Sequence, residues 1–130
     1  MISNMMGYQA YQKNKYETAS PHRLITMLYE GVIRFANQAI NEIESSNIQG
    51  SNLAIKRMQD IVYELIACLN FKEGKEIAEQ LHPLYQYVID LSVRSNLEKT
   101  VDPLKEAILI ITDIKSSWEQ IGKDVALSNG

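Results

Sequence analysis

In residues 21–45 the apolar side chains Leu24, Met27, Leu28, Val32, Phe35 and Ala39 recur at steps of three and four, with Gly31 set into the same stripe. The same spacing returns in three further segments, and none alternates apolar and polar residues with the period of two that a half-buried strand requires. The chain is therefore expected to be all-α. Its first helix is expected over 21–45, with Ser20 as N-cap and Pro21 at the first helical position, where the missing N–H costs nothing. Asn47-Ile48-Gln49-Gly50-Ser51 reads as a turn before a second helix over 52–71. Lys72-Glu73-Gly74 precedes a third over 75–94. After a break at Ser95-Asn96, a fourth starts at Thr100 or Asp102-Pro103 and runs to about Ile121.

Helices of about 20 residues span about 30 Å, and connections of a few residues between them suit an antiparallel up-down four-helix bundle. Residues 1–17 carry Tyr8, Tyr11 and Tyr16 among glutamines and lysines, and are read as a mobile N-terminal arm or short cap helix. The bundle would occupy 20–121 and a loose tail 122–130, all within a single domain 1–130. Gly31 costs about 1 kcal/mol against alanine inside a helix. Its position in the core stripe predicts a close approach by a neighbouring helix.

Composition excludes several classes of function. The 130 residues are 45% apolar and 22% charged, with a formal net charge of -3, which is neither a disordered nor a membrane composition. The thirteen basic residues form no run, so a nucleic-acid backbone has no footprint to bind. No stretch approaches the roughly 18 apolar residues of a membrane span, and no basic flank precedes an apolar block at the N-terminus. Membrane insertion is not expected and a cytoplasmic location is. The single cysteine, Cys68, cannot form an internal disulfide and is read as a small apolar packing group.

Catalysis finds no constellation. His22 and His82 lack metal-ligand spacing and are read as surface residues. The sequence holds neither a Gly-rich phosphate loop nor a nucleophile elbow. No metal, cofactor or enzymatic activity is expected.

Apolar surface exceeds what one core stripe needs. In the second helix Met58, Ile61, Val62, Leu65 and Leu69 form a compact stripe. In the first, Tyr29, Ile33, Ala36 and Ile40 continue as a second stripe beside the core. In the third, Ile77, Leu81, Leu84, Val88 and Leu91 read as core and Tyr85, Ile89 and Val93 as a shoulder. The fourth widens through Ile110, Ile114 and Ile121. Wide core edges covered by neighbouring helices or by the arm would explain each shoulder singly. Together they predict grooves, because contiguous exposed apolar surface marks a partner site. An amphipathic helix laid in a groove is the matching recognition mode.

The residues also resemble a known family. Tyr8-Gln9-Ala10-Tyr11, the run Thr18-Ala19-Ser20-Pro21 followed by Leu24-Ile25 and Leu28-Tyr29-Glu30-Gly31, then Gln59-Asp60-Ile61, Leu69-Asn70, Gly74, Glu76-Ile77-Ala78, Leu84-Tyr85, Asn96-Leu97 and Trp118 are similar to the FliS family of flagellar export chaperones. The resemblance implies a four-helix bundle with an N-terminal cap that binds the C-terminal helical segment of flagellin. Such binding blocks premature polymerisation and delivers the subunit to a component of the type III export gate. It leaves room for a co-chaperone. It makes Tyr29, Ile33, Ile40, Tyr85, Ile89, Val93, Ile110 and Ile114 expected partner contacts, and Tyr8 and Tyr11 cap or export-gate contacts. The alternative from the residues alone is a bundle whose wide apolar faces make a homodimer. Two departures stand out. Gly74-Lys75 replaces the Gly-Gly common in relatives, leaving one residue for a positive φ. Pro83 falls inside the third helix, where a kink or a break is expected.

Overall fold

The computed structural model describes residues 20–70, 72 and 74–129, those after 122 as backbone only. The expected arm, with Tyr8 and Tyr11, lies outside the described residues. Among those described, four α-helices and no strand are found.

Helix α1 spans Pro21–Glu44. Ser20 caps it as expected, its hydroxyl accepting from the Arg23 N–H at 3.1 Å. Helix α2 spans Ile48–Ala67, several residues ahead of the expected start. The difference lies in Asn47: its side-chain oxygen accepts from the Gly50 N–H at 2.9 Å and makes Asn47 an N-cap rather than a turn residue. The turn itself is tighter, with Ser46 in the left-handed region at φ 58.

Helix α3 spans Lys75–Glu98. Gly74 precedes it at φ −118, so the expected positive φ is not used. Glycine serves there by proximity, since a Cβ would stand 3.3 Å from the carbonyl oxygen of Asn70. No break occurs at Pro83: helix runs through it. Pro83 and Glu79, whose carbonyl loses its N–H partner, are both exposed, so the loss falls on the solvent side. The helix ends at Lys99, left-handed at φ 53. The Lys99 ammonium donates to the side-chain oxygens of Asn96 and Asn52, joining the end of α3 to the start of α2. Helix α4 spans Asp102–Asn129 and so continues past the expected end at Ile121.

Each helix packs on its neighbours in the chain and α4 returns against α1, which closes the four-helix bundle. Its centre holds Tyr29, Val32, Ile55, Met58, Val62, Leu65, Tyr85, Val88, Leu91, Leu104 and Ile111. Gly31 is buried, and a Cβ on it would lie 2.9 Å from Cδ1 of Ile61 on α2, the close approach expected of it.

Packing corrects the sequence-derived face of two helices. On α1, Tyr29, Ala36 and Ile40 are buried, while Leu24, Met27 and Phe35, expected as core, are half-exposed. On α3, Tyr85 and Ile89 are buried, whereas Ile77 and Leu84 stand exposed. The cause on α3 is polar. Ser92 and Ser95 lie fully buried within the stripe. Ser92 accepts from the Gln59 amide at 2.9 Å and donates to the Ile89 carbonyl at 2.6 Å, while Ser95 accepts from the Leu104 N–H at 3.1 Å. Small hydroxyls so satisfied enter a core at little cost. A wheel that counts only apolar residues misses them and rotates the face toward Leu84.

Candidate functional site

The expected shoulders do not form a surface stripe. Tyr29 and Tyr85 are each only 1% exposed. Their hydroxyls hydrogen-bond to each other at 2.6 Å, and the rings are tilted by 45° with centroids 6.5 Å apart. Burial is the main cause that pushes both phenols above their ordinary value. Ile40 and Ile89 are buried in the same core, and Ile33, Ile110 and Ile114 are half-buried against it. Of the expected contacts among the described residues, Val93 alone is fully on the surface, at 42% exposure. The physical reason is the bundle's geometry: each helix meets two neighbours and faces the diagonal helix, so its buried arc is wider than that of a helix lying on a surface.

Apolar space opens elsewhere. A groove of about 460 Å³ lies where the first two turns of α1 meet the end of α2 and the middle of α4, lined by Pro21, His22, Leu24, Ile25, Leu28, Glu64, Cys68 and Trp118. One wall is a clasp between α1 and α4. The imidazole of His22 stacks on the indole of Trp118 with centroids 4.6 Å apart and planes 7° from parallel. Nε2–H of His22 donates to the Trp118 carbonyl at 2.6 Å, and Nε1–H of Trp118 donates to the His22 carbonyl at 2.9 Å. Gly122, one turn beyond Trp118, completes the seat, because the ring atoms of His22 occupy the place a Cβ there would need.

His22, expected as a plain surface residue, is thus a half-buried partner of Trp118. No local signal announces this: the two residues are 96 positions apart, and only the fold joins them. Cys68, expected as a packed apolar group, belongs to an exposed residue whose side chain lines the groove. Partial burial, and then the charge of Glu64, raise its thiol above the ordinary value. A thiol held protonated is a poor nucleophile. Among the described residues no group of three or more His, Cys, Asp or Glu could hold a metal, and no helix is long and apolar enough to cross a membrane.

Fold and groove together describe an all-α bundle with an apolar recess lined from three helices and walled on one side by an aromatic clasp. The family model for the flagellar protein FliS matches residues 4–125, and the chain belongs to that family. It is 34% identical to the flagellar secretion chaperone FliS of Campylobacter jejuni over 120 residues, which covers 92% of this chain and 94% of the relative. The flagellar secretion chaperones FliS of Vibrio cholerae and Bacillus subtilis are 32% and 31% identical, each over 87% of this chain and over 86% and 84% of their own. A crystal structure of a bacterial flagellar chaperone shares the fold at a TM-score of 0.74 and 19% identity, covering 98% of this chain and 99% of that one.

Proposed function

We propose that the protein is a cytoplasmic, non-enzymatic chaperone of flagellar secretion that binds the C-terminal helical segment of flagellin, holds it from premature polymerisation and hands it to a component of the export gate. Family membership supplies the class, and the apolar groove beside Trp118 is the observation that supports a helical cargo. A terminal segment that stays unfolded until it pairs must find apolar surface to fold against. Leu24, Ile25 and Leu28 offer that surface at helical spacing on α1. Val93, with the half-buried Ile33, Ile110 and Ile114, extends the proposed contact area to other faces. Tyr8 and Tyr11 are proposed as cap or export-gate contacts.

Trp118 is the only tryptophan in the chain, so its emission reports the groove. Titrating a tryptophan-free peptide of the flagellin C-terminal segment is expected to shift that emission saturably. Unchanged emission, with no binding by a second method, would remove the reading. A stable dimer that the peptide cannot dissociate, seen by sizing at low micromolar concentration, would favour the homodimer instead.

A further inference from the structure

Two arginines from different helices share one aromatic ring at the seam between α1 and α2. The guanidinium carbon of Arg34 lies 5.0 Å from the centroid of Phe35, and that of Arg57 lies 5.7 Å from it. Both distances fall within the reach of a cation–π contact.

Neither arginine is paired with a carboxylate among the described residues, although two acids stand at helical spacing. Glu30 precedes Arg34 by one turn yet pairs with Arg23 at 3.1 Å. Asp60 follows Arg57 by less than a turn yet pairs with Lys56 at 3.2 Å. Both of these acids are thus engaged, while two exposed positive charges face one half-buried ring. An exposed guanidinium without an acidic partner makes charge-assisted hydrogen bonds with any carboxylate brought to it, and these are stronger than neutral ones. Leu53, 50% exposed and one turn before Arg57 on the same face of α2, adds an apolar neighbour.

We propose that the Arg34–Phe35–Arg57 seam docks an acidic segment of a partner protein, its carboxylates pairing with the two guanidiniums and an aliphatic side chain resting beside Leu53. Two cations are too few for a nucleic-acid backbone, where affinity grows with the number of phosphates neutralised. A protein of net charge -3 with no basic run gives such a backbone no further hold. The seam shares no residue with the groove lined by Pro21 and Trp118, so this site stands or falls apart from the flagellin reading.

The test uses the full chain and two probes: a synthetic helical peptide with Glu and Leu at four-residue spacing, and the same peptide with every Glu replaced by Gln. Binding is followed at low salt through the side-chain Nε–H signals of Arg34 and Arg57. The Glu peptide is expected to shift both saturably and the Gln peptide to bind at least about tenfold more weakly. The double variant Arg34→Gln/Arg57→Gln, at exposed positions that leave the fold intact, should lose about tenfold or more in affinity for the Glu peptide. Phe35→Leu keeps both charges but removes their shared platform, and should lose about threefold or more. Equal binding by either variant, or inorganic phosphate at the same charge concentration shifting the two signals as strongly as the Glu peptide, would overturn the proposal.

Discussion

The phenolic oxygens of Tyr29 and Tyr85 lie 2.6 Å apart, a hydrogen bond that crosses the centre of the bundle between α1 and α3. One hydroxyl donates and the other accepts, so the two polar groups enter the core as a satisfied unit. Tyr29→Phe or Tyr85→Phe would strand the remaining hydroxyl and is expected to cost about 1–3 kcal/mol in urea unfolding. The double Phe variant should lie closer to the parent than the two single losses added, a positive coupling that a double-mutant cycle reads directly.

Alkaline pH acts on the same pair. Burial raises both phenols in the folded state above the unfolded value of 10.0. A raised folded value means that the stabilising contribution is complete below pH 10 and is lost as pH climbs above it, because the unfolded chain releases its protons first. Stability should fall by up to about 1.4 kcal/mol per pH unit for each proton so released. The double Phe variant should show a shallower fall across the same range.

At Gly31 a methyl group would stand 2.9 Å from Ile61 Cδ1, the far end of a side chain that can turn aside. Gly31→Ala therefore sets a helix-propensity gain of about 1 kcal/mol against a small shift of Ile61, and should change stability by less than about 1 kcal/mol. Gly31→Leu has no such room and should destabilise by about 1–3 kcal/mol in chemical denaturation.

Gly122→Ala would displace the His22 ring from its seat and with it the stack on Trp118. A red shift and quenching of tryptophan emission are expected, with a stability loss of about 1–2 kcal/mol from the two hydrogen bonds. In a His22→Ala background the same glycine substitution should cost almost nothing more, because the ring it collides with is gone.

Helix number, the Ser20 cap and the role of Gly31 were legible because each is a local matter of spacing or capping chemistry. Which side of α1 and α3 faces inward was not, because Tyr29, Tyr85, Ser92 and Ser95 are accepted into the core through hydrogen bonds to partners on other helices. Residues of mixed polarity cannot be sorted by hydropathy alone. The His22–Trp118 clasp was hidden for a related reason: its two halves meet only after α4 has folded back on α1. The family pattern singled out Trp118, and only the packing supplied its partner.

Calorimetric titration of the full chain with a peptide of the flagellin C-terminal segment tests the central claim most directly. Saturable heat is predicted, with a thermal midpoint that rises with peptide concentration as ligand binding to the folded state requires. Leu24→Glu, a charge placed in the groove wall, should weaken the affinity about tenfold or more, because a carboxylate is costly to bury without a partner. No heat and an unmoved midpoint would contradict the account.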